Sequence, residues 1–202
     1  MKHLLRTLGL ASALAFVTLT ASPAAAIHVG DAFPSMTLTD LDGENHDLSA
    51  KSGYVVVIYF MGFSCDPCVE IADALEGDFV TPYRGDRVSV FAVDTWDGLA
   101  EEVGRVRDEA GVRYPFLLNG GALLDACDIE WHSFVIVDGN GTVRYVNQTA
   151  SGGAYEPGAM QAVVDEFLTN AVDTEIVTWG EIKRFYDPSR RDAGRPVFSL
   201  GP

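Results

Sequence analysis

The chain has 202 residues, 48% of them hydrophobic, and carries a formal net charge of −15 from 29 acidic and 14 basic side chains. The length suits one domain with a core of useful size. So acidic a surface argues against nucleic acid and anionic membrane as partners.

The first residues, Met1-Lys2-His3-Leu4-Leu5-Arg6, are basic; an apolar run from Leu8 to Leu19 follows, then Ala21-Ser22-Pro23-Ala24-Ala25-Ala26. Basic, apolar and small-residue regions in that order read as a secretory signal peptide over residues 1–26, cleaved after Ala26. An uncleaved anchor would need roughly 20 apolar residues, and this run is shorter. The mature chain from Ile27 is therefore expected to be soluble, without membrane insertion, and periplasmic or otherwise extracytoplasmic. Loss of Lys2 and Arg6 takes the charge to −17.

Met36 to Leu48 reads as two short strands joined at Leu41-Asp42-Gly43-Glu44, where Asp-Gly supports a tight turn. Tyr54–Phe60 is a near-continuous apolar run, the pattern of a strand buried on both faces. The turn Met61-Gly62-Phe63-Ser64 leads to Cys65-Asp66-Pro67-Cys68 and a helical pattern from Val69 to about Gly77. Val88–Asp94 is a second buried strand, so strand, helix and strand form a parallel βαβ unit. Asp97 to Ala110 follows as a helix, with Asp97 as cap and Gly111 as stop. Tyr114–Leu118 is a short strand and Ala122–Cys127 a short helix. Phe134–Asp138 and Thr142–Val146 flank Asp138-Gly139-Asn140-Gly141, a hairpin signal. Pro157 to Val172 has helical spacing of Met160, Val163, Val164, Phe167 and Leu168. Residues 173–202 are an extension: Trp179, Ile182, Phe185 and Tyr186 can pack a short helix, and the chain from Arg190 is loosely structured.

Three cysteines in an exported chain give one pair and one spare. Cys65 and Cys68 are the natural pair, at i and i+3 on the first turn of a helix. A helix N-terminus favours thiolate, the reactive form of cysteine. Closing so small a ring stabilises little by loop entropy, so the pair is read as reversible redox chemistry rather than a structural staple or a metal site. Such a dithiol carries its own electrons and calls for no cofactor. Cys127 is read as a buried small hydrophobe.

Six pieces in order carry a resemblance to a known family. They are Gly30-Asp31-Ala32-Phe33-Pro34, Leu41-Asp42-Gly43-Glu44 with Leu48, the strand ending in Phe60, the Cys65–Cys68 helix, the strand ending Val93-Asp94, and Val135-Ile136-Val137-Asp138-Gly139-Asn140-Gly141. Together they run from about Gly30 to Val172. They resemble the thioredoxin-like superfamily, in its exported TlpA-like and ResA-like branch, which overlaps the redoxin group. The resemblance implies an α/β fold over residues 27–172: a three-layer thioredoxin-like arrangement with a central mixed sheet flanked by helices, here with an N-terminal β-hairpin extension. It also implies a thiol–disulfide oxidoreductase in which Cys65 attacks a substrate disulfide and Cys68 resolves the mixed disulfide. Protein thiols and disulfides would be the partners, with a membrane electron donor recharging the pair; members of that branch are mostly dedicated reductants.

Three positions depart from the family pattern. Ser64 stands where Trp usually precedes the first cysteine. Ile71 stands where the branch often has a buried Glu, between Glu70 and Asp73 on what reads as the solvated helix face. The family's cis-proline before the hairpin strand is replaced by a stretch without proline, Ile129-Glu130-Trp131-His132-Ser133-Phe134. Counting back from Asp138 puts His132 at the proline's place; counting from Ile129 puts Ser133 there. By analogy Trp131, His132 and Ser133 form the substrate-binding wall opposite the dithiol, Trp131 and Phe63 flank the pair as an apolar rim, and Cys127 lies on the dithiol's side of the fold. No metal ligand is assigned. The alternative reading is a copper- or zinc-binding, metallochaperone-like protein using Cys65, Cys68 and His132, a soft donor set that resembles the Sco-type copper proteins in ligand type.

Overall fold

A computed structural model describes residues 26–48, 53–147 and 154–169. The expected signal peptide up to residue 25, the helix beyond residue 169 and the C-terminal extension lie outside them.

Among the described residues two sheets form. The first is a hairpin of β1 (Thr37–Thr39) and β2 (Asn45–Asp47). The second has five strands: β3 (Val55–Met61), β4 (Val88–Asp94), β5 (Phe116–Leu117), β6 (Phe134–Val137) and β7 (Val143–Asn147). Their order is β5-β4-β3-β6-β7. β3 runs parallel to β4, with Val55 opposite Val88 and Met61 opposite Asp94, and antiparallel to β6, with Ile58 opposite Val135. The sheet is therefore mixed, and the two longest apolar runs of the mature sequence lie side by side in it.

Every residue of β3 is buried, and period two divides them between two cores. Val55, Val57, Tyr59 and Met61 pack with Cys68, Ala72 and Leu75 of α1 (Asp66–Leu75), Val103 and Val106 of α2 (Ala100–Ala110), and Met160 and Val164 of α4 (157–169). Val56, Ile58 and Phe60 pack on the other side with Leu38, with Leu123 and Cys127 of α3 (Gly121–Cys127), and with Phe33. Helices thus cover both faces of the sheet, and the β1–β2 hairpin joins the second face.

Most boundaries shift by a residue or two from the sequence reading, and the larger differences have physical reasons. α1 begins at Asp66, not Val69, because Pro67 fits the first turn, where a missing N–H leaves nothing unpaired. It then runs into a π-helical turn, Glu76–Val80. Asp97 does not cap α2. It sits at φ 52°, its carboxylate accepts the Gly121 N–H at 3.1 Å, and the helix starts after Leu99, whose N–H is held by the Glu102 carboxylate at 2.9 Å. Cys127 lies on the sheet face opposite the one that α1 covers. The expectation that it shares the dithiol's side is corrected. Gly111 does stop α2, in the left-handed conformation at φ 69°.

Candidate active site

β3 ends at Met61, and the chain turns through Gly62, Phe63 and Ser64 before Cys65 takes the N-cap position of α1 in an extended conformation. Cys65 and Cys68 are disulfide-bonded, with Cα atoms 5.2 Å apart. The two sulfurs are not equivalent. Cys65 is half-buried, whereas Cys68 is 0% exposed. An attacking thiol must meet a substrate, and a resolving thiol needs only to meet its neighbour, so the asymmetry matches those two roles. Glu70 and Asp73 are exposed on the outer face of the helix, as read from the sequence.

The wall beside the pair is His132. The end of β3 pairs with the segment entering β6: the His132 N–H donates to the Phe60 carbonyl at 2.8 Å, and the Phe60 N–H donates to the Ser133 carbonyl at 2.9 Å. This pairing resolves the register left open by counting. Ser133 is buried with its hydroxyl donating to the Glu130 carbonyl at 2.6 Å, while His132 puts its imidazole by the sulfurs. One donor atom from each of Cys65, Cys68 and His132 lies within 4.8 Å of the others. No cis peptide bond occurs among the described residues. His132 instead adopts φ 65°, a left-handed conformation that costs a non-glycine residue about 1 kcal/mol or more.

The imidazole sits in an aromatic surround. Its ring centroid is 5.7 Å from Tyr59, 5.6 Å from Trp131 and 6.4 Å from Phe134, and Tyr59 stacks on Phe134 at 4.8 Å. Desolvation by these rings lowers the His132 pKa below the ordinary histidine value, favouring the neutral form. His132 Nε2 and the Tyr59 hydroxyl are buried without hydrogen-bond partners.

A second loop completes the rim. Register places the end of β4 beside the end of β3, so Trp96 arrives next to Gly62 and Phe63. Asp94, fully buried, accepts the Gly98 N–H at 2.7 Å and the Trp96 N–H at 3.4 Å; burial raises its pKa despite these bonds. Thr95 ties back to the Met61 carbonyl at 2.9 Å. Trp96 and Trp131 remain 41% and 38% exposed with centroids 5.0 Å apart, and Phe63 meets Trp96 edge-on at 6.0 Å. Phe63 lines a cleft with Cys65, and Trp131 lies against Trp96 and His132. Tyr59, Asp94 and Trp96 were missed as site residues. The available signal was a hydroxyl in an otherwise apolar strand and a Trp two residues past a strand end.

A cleft of about 250 Å³ opens on the outer side of Cys65, lined by Phe63, Ser64, Asp66, Val69, Glu102 and Arg105 among others. A somewhat larger one, lined by His46, Phe79, Tyr83 and Arg84 among others, contains neither cysteine of the pair. Cys127 is buried and unpaired, and burial pushes its thiol pKa up to about 12. It takes no part in the site.

The profile of the AhpC/TSA family matches residues 29–146. The thiol-disulfide oxidoreductase ResA of Geobacillus kaustophilus is 27% identical over 123 residues, 60% of this chain and 70% of that protein. Among solved structures, the thioredoxin domain of a thiol-disulfide oxidoreductase from Bacteroides vulgatus superposes with a TM-score of 0.59 at 18% identity, covering 71% of this chain and 99% of its own. A thioredoxin-like protein from Aeropyrum pernix gives 0.54 at 24% identity, covering 65% and 89%.

Proposed function

The chain belongs to the AhpC/TSA family, and on that premise we propose that it is an exported thiol–disulfide oxidoreductase exchanging disulfides with protein substrates through Cys65 and Cys68. The observation that carries the reading is the disulfide at the start of α1, with Cys65 half-buried and Cys68 fully buried. In the reduced form, the Cys65 thiolate attacks one sulfur of a substrate disulfide. The other substrate sulfur leaves as a thiolate and takes up a proton, and a mixed disulfide remains. Cys68 then attacks Cys65 Sγ, closing the pair and releasing the second substrate thiol. Two electrons pass from the dithiol to the substrate. An external dithiol, supplied by a membrane electron donor, reverses the change. The helix start favours thiolate at Cys65, and the neutral imidazole of His132 is placed to exchange a proton with the pair. Trp131 offers an exposed apolar surface to the substrate chain, and Ser133, through its bond to Phe60, holds the wall in register.

Export is supported by the order of the first residues, with Lys2 and Arg6, Leu8–Leu19, then Ala24-Ala25-Ala26. No described helix is long and apolar enough to cross a membrane. Mass analysis of the protein from the periplasm is expected to give an amino terminus at Ile27. The exchange reading is tested by insulin reduction. Cys65→Ser is expected to abolish turnover, and Cys68→Ser to attack once and accumulate a mixed disulfide visible by mass. Full activity of Cys65→Ser would sink the reading.

A further inference from the structure

We propose that the reduced Cys65–Cys68 pair and His132 form a three-coordinate Cu(I) site that exists only when the pair is reduced. The inference goes beyond the exchange reaction, although both use the same two sulfurs. Its basis is the placement of His132. A histidine is held in a left-handed backbone conformation, tied to Phe60, so that its ring lies against the two sulfurs with Nε2 buried and unpartnered. A buried polar atom left without a partner is destabilising, because it has given up its bonds to water and gained none. Folded proteins keep few such atoms, and each one needs a reason. A ligand taken up between the imidazole and the sulfurs supplies that reason.

The geometry suits one ion. Ligand bonds of about 2.0–2.3 Å put donors around a first-row metal roughly 4 Å apart, and the three donor atoms here lie within 4.8 Å of one another. The donor set narrows the metal. Two thiolates and an imidazole are soft, the chemistry of Cu(I) and of zinc. Structural zinc takes four protein ligands, and three-ligand zinc keeps a position for water or substrate. The cluster among the described residues has three donors in an aromatic surround, and Cu(I) is the ion assigned to it. Tyr59, Phe134 and Trp131 ring the imidazole and limit access of water and oxidant to the metal.

The redox dependence follows from the bond already present. With Cys65 and Cys68 joined, neither sulfur is a thiolate. Exchange with an external dithiol breaks the S–S bond, moves two electrons and two protons onto the pair, and leaves the donor as its own disulfide. Cu(I) then displaces the two thiol protons. When the metal-loaded pair passes its two electrons to a substrate disulfide, with two protons taken up by the substrate sulfurs, the S–S bond reforms and Cu(I) is released unchanged in oxidation state.

The test is an anaerobic titration of the reduced protein with Cu(I), in competition with the chromophoric chelator bathocuproine disulfonate. One equivalent bound by the reduced protein and none by the oxidised protein is expected. His132→Ala, and His132→Gln as the variant that keeps the space filled, are each expected to weaken binding at least tenfold. X-ray absorption of the loaded protein is expected to show two sulfur ligands and one nitrogen. Absence of uptake, uptake of Zn(II) in place of Cu(I), parent-like affinity in both His132 variants, or an all-sulfur shell would each overturn the site. Insulin reduction on the same preparation separates the two readings. Turnover without copper uptake removes this inference and leaves the exchange reaction, and copper uptake without turnover supports the site while removing the exchange reaction.

Discussion

Two glycines set the shape of the rim around the dithiol. A methyl group on Gly62 would fall 2.5 Å from the Trp96 ring, and one on Gly98 would fall 2.3 Å from the Phe63 ring. Neither position has the positive φ that demands glycine; both have an aromatic ring lying flat on the backbone. Gly62→Ala must therefore lift Trp96 away from both the β3 turn and Trp131. Overpacking of this kind costs typically about 1–3 kcal/mol. Urea unfolding of Gly62→Ala is expected to show a lowered midpoint, and its native tryptophan emission is expected to shift as Trp96 becomes more exposed. An unchanged midpoint and spectrum would mean that Trp96 is not seated on Gly62.

At the level of elements, one turn device appears twice. In the β1–β2 hairpin Asp40 accepts the N–H groups of Asp42 and Glu44, each at 2.9 Å, and its other oxygen meets His46 at 2.7 Å. In the β6–β7 hairpin Asp138 accepts the N–H groups of Asn140 and Thr142 at 2.9 and 3.0 Å, and its other oxygen meets Arg144 at 2.7 Å. The offsets are the same: two and four residues on for the backbone, six for the side chain. In both cases burial works to raise the carboxyl pKa, but the bonds and the facing side chain outweigh it and hold the group below the ordinary aspartate value. For Asp138 the folded pKa is thus lower than the unfolded one. The stabilisation is complete above about pH 4, the unfolded value, and is lost as the pH falls through the folded value. Asp138→Asn removes the charge facing Arg144 and is expected to cost about 2 kcal/mol at pH 7, the scale of a charge-assisted bond. Its urea midpoint should also vary less between pH 5 and pH 3 than that of the parent. Because β6 delivers His132 to the dithiol, copper affinity should fall with hairpin stability only if the hairpin opens below the global transition. A parent-like pH dependence in Asp138→Asn would show that the carboxylate does not drive the acid loss.

For the molecule as a whole, local pattern and long-range pairing divide what the chain reveals. Val88–Asp94 has the bounds read from sequence, because a continuous apolar run between turn residues admits few other placements. The Cys65–Cys68 helix start was legible for a similar reason, since spacing and Pro67 are local. The identity of the wall was not. Whether His132 or Ser133 faces the sulfurs depends on the register in which their segment pairs with Phe60, and those bonds join segments some seventy residues apart. Trp96 was hidden for the same cause: it reaches Gly62 only because Met61 and Asp94 are opposite each other in the β3–β4 register. Cys127 was misplaced by analogy, because which sheet face a helix covers follows from the path of its connections and not from its own residues.

That placement has a measurable consequence for the three thiols of the reduced protein. Cys127 is 0% exposed and belongs to the core on the face away from α1. With its pKa pushed up to about 12, its thiolate fraction at pH 8 is about 10⁻⁴, and thiolate is the form that alkylates. Cys65 is half-buried at a helix start, within reach of the reagent. Reduced native protein treated with iodoacetamide at pH 8 is therefore expected to label at Cys65 first, with Cys127 unmodified. As urea is raised, Cys127 should label in step with loss of far-UV circular dichroism, because opening the second core means separating α3 from the central strands rather than loosening the rim. Native labelling of Cys127 at the rate of Cys65 would contradict the assignment of the two cysteines to opposite faces. If Cys127 labels at lower urea than the dichroism transition, α3 opens as a unit of its own, and the core is cooperative only on the dithiol's side.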